Sequence, residues 1–124
     1  MLIVDSSIII ALFRPKEEHH NAAKNIIKKN NDFIVLDYVL SECLTVLKMR
    51  EGYKAAFDCA DLLMKNSDFT FTHLNKEEFN ESLLFFTKNK NRLSFVDTTL
   101  LILSKSLGVP VATFDKDLQK ALSS

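Results

Sequence analysis

The chain has 124 residues, 47% of them hydrophobic and 26% charged, the size and composition of one domain able to bury a core rather than of a disordered segment. Sixteen Lys and Arg against sixteen Asp and Glu give a formal net charge of zero, so total charge makes no case for nucleic acid or an anionic membrane, and only its local distribution can. No apolar run approaches the roughly 20 residues that span a bilayer, no basic leader precedes Leu2, and Cys43 and Cys59 form no Cys-x-x-Cys pair; a cytoplasmic protein with no membrane partner and with reduced, packed thiols is expected.

In chain order, Leu2 to Val4 is a short apolar run of buried-strand type, ended by Asp5 and followed by Ser6, Ser7 and the apolar stretch Ile8 to Leu12. Glu17 to Lys29 reads as a helix, with Ala22, Ala23, Ile26 and Ile27 on one face. A second strand, Phe33 to Leu36, leads into a helix from Tyr38 to Arg50 with Leu40, Cys43, Leu44 and Leu47 along one stripe. Gly52 closes it, and Tyr53 to Lys65 repeats the amphipathic pattern. From Asp68 to Leu74, Phe69, Phe71 and His73 alternate with Thr70 and Thr72, the period of a strand with one face buried. Asn75, with Glu78 three residues on, opens a helix expected to bury Phe79, Leu83 and Phe86. The helix from Ser94 carries Leu100, Leu101, Ile102, Leu103 and Leu107 around its whole circumference, as a central helix would. Gly108 ends it, Val111 to Phe114 form a last strand ended by Asp115, and Lys116 to Leu122 form a terminal helix.

Strands alternating with helices imply an α/β fold, a three-layer sandwich in which helices cover both faces of a parallel sheet. No linker or repeat divides the chain, so residues 1–124 are read as one domain. Four parallel strands are expected. A fifth is in doubt, because little chain remains after Asp115.

Four acidic residues sit where a hydrophobe or a turn would be ordinary. Asp5 and Asp115 each end an apolar run, Asp97 lies in the first turn of the central helix, and Glu42 stands at the margin of an apolar stripe beside Val39 and Val46. In an open parallel sheet, ligands bind beyond the carboxyl ends of the strands, where such carboxylates can converge. Each also has an ordinary structural reading. Asp97 can complete a capping box with Ser94, Asp115 can cap the terminal helix, and Glu42 can be a solvated residue at the stripe edge. Asp5 is the hardest to explain that way, since a carboxylate ending a buried strand must be paired, protonated or metal-bound.

Order and setting together resemble the PIN-domain nucleases. The resemblance rests on Ile3-Val4-Asp5-Ser6-Ser7, on Leu40-Ser41-Glu42-Cys43-Leu44, on Leu93-Ser94-Phe95-Val96-Asp97 and on Thr113-Phe114-Asp115-Lys116-Asp117-Leu118. It covers the whole chain, and a unit of this size is most similar to the VapC-type ribonuclease toxins of toxin-antitoxin pairs. The resemblance implies that Asp5, Glu42, Asp97 and Asp115 hold Mg²⁺ or Mn²⁺ for hydrolysis of an RNA phosphodiester. Oxygen ligands without a His or Cys cluster suit those ions better than zinc. Ser6 and Thr113 match small hydroxyl positions of the family motif, and Asp117 an acidic position variably used near the site.

Four carboxylates repel a phosphate, so RNA would also need Lys or Arg nearby. Arg14 and Lys16, then Lys48, Arg50 and Lys54, then Lys88, Lys90 and Arg92 are the clusters available, each also readable as a solvated face. The resemblance further implies an antitoxin that covers the site and a homodimer. Apolar faces at Glu17 to Lys29 and Tyr53 to Lys65 in excess of the needs of one small sheet fit an interface. A catalytically silent PIN-like module that binds RNA or protein is the competing reading. A receiver domain would need an acceptor Asp ending the third strand, where His73 and Leu74 stand. A haloacid-dehalogenase-like phosphatase would need an Asp at the position of Ser7.

Overall fold

A computed structural model describes residues 1–124. The chain runs β1 (Leu2–Val4), α1 (Ser6–Leu12), α2 (His20–Lys29), β2 (Phe33–Leu36), α3 (Asp37–Glu51), α4 (Tyr53–Lys65), β3 (Phe69–Thr72), α5 (Lys76–Lys88), α6 (Phe95–Leu107), β4 (Val111–Ala112) and α7 (Lys116–Leu122). All strand pairs are parallel, in the order β3-β2-β1-β4. Ile3 lies between Ile34 and Val111 in the ladder. Phe33 pairs with Phe69, and their rings stack at 4.8 Å.

The order of strands fixes where a ligand can sit. From β1 the chain steps outward to β2 and β3, then returns to place β4 on the other side of β1. The reversal makes a crevice between the carboxyl ends of β1 and β4. Because parallel crossovers are right-handed, it also sends the helices after β3 to the face opposite those after β1 and β2. The packing agrees: α3 lies against α1 and α4, and α1 against α2, whereas α5 lies against α6, and α6 against α7 and β4.

Helix α6 is the central element expected from its sequence, with Thr98 to Leu103 all buried. Its two buried hydroxyls bond back into their own helix, Thr98 Oγ1 donating to the Ser94 carbonyl at 3.1 Å and Thr99 Oγ1 to that of Val96 at 2.6 Å, so neither is left unsatisfied. Gly108 ends α6 in the left-handed region at φ 67°, its N–H donating to the Ser104 carbonyl at 2.8 Å. The expected capping box at Asn75 and Glu78 is present, with both reciprocal bonds. Cys43 and Cys59 are free and buried, as expected, and burial pushes both thiols up, Cys59 to about 12.

Several expectations are corrected. The apolar stretch after Asp5 is a helix of its own, α1, and the next helix begins at His20 rather than Glu17, because residues 13–19 form the turn between them. β3 stops at Thr72, and Phe71 is exposed; it is an edge strand, paired on one side only. The largest difference lies in α5. Glu78 and Ser82 face inward, while Phe79, Leu83 and Phe86 are exposed rather than buried. Helix α5 packs on α6 and not on the sheet, so its aromatic residues gather at a rim around Phe95, with Phe79 at 6.2 Å and Phe86 at 5.7 Å. Four strands are present.

Candidate active site

Asp5 follows the last residue of β1 and caps α1. It is 4% exposed, so its charge must be offset by donors. The structure supplies them from two chain segments. Oδ1 accepts from the Ser6 N–H at 2.7 Å, with the Ser6 hydroxyl farther off at 3.4 Å. Oδ2 accepts from Thr113 Oγ1 at 2.6 Å and from Ser7 Oγ at 3.0 Å. The first of these two has the length of a charge-assisted hydroxyl bond. Thr113 directly follows β4, so the crevice between β1 and β4 is closed at its floor by side-chain bonds to one carboxylate.

Asp115 lies beyond the end of β4 rather than in the strand, which stops at Ala112. It caps α7, its Oδ1 accepting from the Leu118 N–H at 2.9 Å, and its own N–H donates to Thr113 Oγ1 at 3.0 Å. Asp97 completes the capping box of α6, its Oδ2 accepting from the Ser94 N–H at 3.1 Å while its N–H donates to Ser94 Oγ at 3.0 Å. The capping readings of Asp97 and Asp115 are thus real, and they exclude nothing, because each cap occupies one carboxylate oxygen and leaves the other free. Burial raises the Asp97 carboxyl above its ordinary value. Bonds from Ser94 oppose that shift, and the charges of Asp5 and Asp115 add to it. Asp97 is therefore close enough to Asp5 and Asp115 for their charges to reach it.

Glu42 is placed differently. It is exposed on α3, as its reading as a solvated residue at the stripe edge allows, and it lines a cleft of about 500 Å³ with Tyr38, Ser41, Thr45, Val46, Phe95 and Val96. Val96 precedes Asp97, so the cleft opens beside the start of α6. The neighbouring Cys43 packs inward with Sγ 4.0 Å from the Ser6 carbonyl, and its thiol is raised by burial, by Cys59, and by the charges of Glu42 and Asp5. This contact holds α3 against the Asp5 turn while Glu42 projects to the rim.

As placed, no three His, Cys, Asp or Glu side chains form a ready-made cage for an ion. The donor set nevertheless fits a hard divalent cation: it is all oxygen, and it includes a carboxyl whose ionisation is opposed by burial and by two like charges, a penalty that a cation would relieve. Asp117 is exposed on α7 and stands 3.8 Å from Arg92 Nε. Of the basic residues singled out above, Arg14 is turned to Glu51 at 3.8 Å and Lys54 pairs with Asp58 at 3.0 Å, while Arg92, together with Lys120, which the sequence did not single out, lines a cleft of about 340 Å³ beside the start of α7. His19 stacks on Phe114 at 4.4 Å, and His20 Nδ1 bonds the Ala11 carbonyl. The residue missed by sequence reasoning is Ser7, whose hydroxyl reaches Asp5, Thr113 and the Phe114 N–H. Its signal was a hydroxyl two residues after a strand-ending Asp, a spacing that favours local side-chain bonds.

A four-stranded parallel sheet flanked by helices defines the chain as an α/β protein, and Asp5 and Asp115 mark its candidate site at the point where the strand order reverses. The PIN domain family model matches residues 2–122, and the chain belongs to that family. Solved structures share its fold. The Mycobacterium tuberculosis toxin VapC20, described as cleaving the sarcin-ricin loop, is similar with a TM-score of 0.89 at 22% identity, over 98% of this chain and 95% of that one. FitAcB from Neisseria gonorrhoeae gives 0.72 at 14% identity, over 99% and 94%. VapBC2 from Rickettsia felis, bound to a DNA fragment from its promoter, gives 0.70 at 9% identity, over 97% and 92%. No curated protein sequence matches the chain.

Proposed function

We propose that this protein is a metal-dependent endoribonuclease and the toxin of a toxin-antitoxin pair, with Asp5, Glu42, Asp97 and Asp115 as its catalytic carboxylates. The observation that carries this reading is the convergence at the β1/β4 crevice of Asp5 and Asp115, linked through Thr113, with Asp97 close enough for their charges to raise its carboxyl. A carboxyl perturbed by burial and by neighbouring like charges is typical of functional sites. Asp5, Asp97 and Asp115 would hold Mg²⁺ or Mn²⁺, with Glu42 reaching in from the rim. A bound ion supplies an activated water and positive charge to offset the charge developing on the leaving oxygen. Water adds to phosphorus and one P–O ester bond breaks. Thr113 and the Ser6 N–H hold the Asp5 carboxylate in place meanwhile, and the Ser94 and Leu118 N–H groups do the same for Asp97 and Asp115.

Arg92 and Lys120, which line one cleft at α7 together with Asp117, are suited to the flanking backbone phosphates of RNA. Support for the toxin reading comes from family membership and from the shared fold with VapC20. An antitoxin and a second copy of the chain are the partners this reading calls for. Exposed apolar residues on α4 (Tyr53, Phe57, Leu62 and Met64) and on α5 (Phe79, Leu83, Leu84 and Phe86) offer two surfaces for them; α2 offers less, since Ile26 and Ile27 are half-buried. No helix is long and apolar enough to cross a membrane.

The absence of a ready-made three-residue cage favours one competing reading, a silent PIN-like module that binds RNA or protein without cutting. Purified protein incubated with a mixed RNA pool in Mg²⁺, Mn²⁺ or EDTA, beside folded Asp5→Asn and Asp97→Asn, separates the two. Metal-dependent cleavage lost in both variants is the expected result. Folded wild-type protein that neither cuts RNA nor binds metal by calorimetry would establish the silent module instead.

A further inference from the structure

The hydroxyl of Ser7 occupies a position that the nuclease reading does not account for. It lies in the first turn of α1, yet two of its three partners are on the far side of the crevice. Ser7 Oγ donates to Asp5 Oδ2 at 3.0 Å, accepts from the Phe114 N–H at 3.0 Å, and lies 3.3 Å from Thr113 Oγ1. Proton accounting assigns these bonds. A serine hydroxyl has one proton and two lone pairs. Phe114 N–H can only donate, so it takes a lone pair of Ser7, and the single Ser7 proton goes to the charged acceptor, Asp5. Thr113 gives its own proton to the same Asp5 oxygen at 2.6 Å and accepts from the Asp115 N–H at 3.0 Å. Two hydroxyls, 106 residues apart in the chain, thus converge on one carboxylate oxygen and on two consecutive backbone N–H groups of the turn that carries Asp115.

We propose that Ser7 is a positioning residue that fixes Asp5 and the Phe114–Asp115 turn relative to each other, setting the separation of two carboxylates that share the metal. The backbone bond from the Asp5 N–H to the Ala112 carbonyl at 3.0 Å joins the ends of β1 and β4, but it reaches neither the Asp5 carboxylate nor the Phe114–Asp115 turn beyond β4. Thr113 alone holds the Asp115 N–H and Asp5. Ser7 adds the Phe114 N–H and so supplies a second side-chain link between the β1–α1 and β4–α7 junctions. The inference rests on the metal-nuclease reading, and it assigns to that site a residue outside the four carboxylates.

The test compares full-length wild type, Ser7→Ala and Ser7→Thr by Mn²⁺ calorimetry without RNA, amide hydrogen exchange at Phe114, thermal melting, and steady-state cleavage. Outer hydrogen-bond partners of metal ligands typically contribute 10- to 100-fold to affinity or activity, so Ser7→Ala is expected to stay folded, expose the Phe114 amide to exchange, bind Mn²⁺ about tenfold more weakly and lose about tenfold in kcat with KM little changed. Ser7→Thr, which keeps the hydroxyl, is expected to restore all three. Ser7→Ala that binds Mn²⁺ as wild type does, or a loss that follows the unfolded fraction and is equal in Ser7→Thr, overturns the inference while the nuclease stands. Wild type that neither binds Mn²⁺ nor cuts RNA overturns both.

Discussion

Asp97 stands between two roles, cap and candidate ligand, and its chemistry shows the tension. Burial and the charges of Asp5 and Asp115 raise its carboxyl, against the opposing bonds from Ser94. A group whose folded value lies above its unfolded one is held more tightly protonated in the native state. The stability associated with it is therefore complete at low pH and is lost as pH climbs from the ordinary carboxylate range through the raised value. Asp97→Asn keeps an acceptor for the Ser94 N–H and removes the charge. It should melt above wild type at pH 7, with the difference closing below about pH 4, where ordinary carboxylates are themselves protonated. Saturating Mg²⁺ should raise the wild-type melting temperature more than that of the variant, because only the charged site gains from the ion. Melting curves at several pH values decide this, and a variant less stable than wild type at pH 7 would count against the electrostatic account. Sequence alone could place Asp97 three residues after Ser94 and read a capping box. It could not show that Asp5, far away in the chain, sits close enough to perturb it.

Among the elements, the best-read features were those whose cause is local. The boundaries of β1, β2, α4 and α7, the boxes at Asn75 and Ser94, and the ending of α6 at Gly108 follow from short-range rules of capping and backbone conformation. Replacing an N-cap serine with alanine typically costs about 1 kcal/mol. Ser94→Ala should show a loss of that order in urea unfolding, and because the box also holds Asp97, its loss of cleavage should exceed what stability explains. The misread element was α5. Phe79, Leu83 and Phe86 have perfect helical spacing, yet the amphipathic pattern says only that one face is apolar, not that this chain covers it. Leu103→Ala in α6 should cost about 2 to 5 kcal/mol as a buried large-to-small change, whereas Leu83→Ala should cost well under that in the monomer. Equal losses in denaturant titrations would mean that α5 buries its leucine after all.

For the whole molecule, the exposed faces of α4 and α5 become a statement about association. Phe79, Leu83, Leu84 and Phe86 are exposed on one helix, and Phe79 and Phe86 adjoin Phe95, which reaches Tyr38 at 6.3 Å beside the Glu42 cleft. A partner seated there would border the candidate active site. If this face joins two copies, Leu83→Glu should shift the protein toward a monomer in sedimentation velocity without lowering its melting temperature at low concentration. An unchanged mass would move the interface to α4 or leave the protein monomeric. Charge tells the same story at this scale. A net charge of zero hides the pairing of Arg14, Lys54 and Arg92 with acidic neighbours, and it hides the gathering of Arg92 and Lys120 at the cleft beside α7.

Sequence by itself determined the alternation of strands and helices, the central placement of α6, the buried thiols and the four acidic positions, because periodicity, caps and hydrophobic runs act over a few residues. It also carried the family, since the four motifs occur in order along the chain. Only the tertiary structure decided which of those residues meet. The reversal of strand order puts β4 beside β1, and that single adjacency brings Thr113 and Ser7 onto Asp5, sets Asp115 across from it, and leaves Glu42 at the rim. It decided the exposure of α5 as well, by stacking that helix on α6 instead of on the sheet. Contacts between residues about a hundred positions apart depend on the path of the chain through space, which no local pattern records.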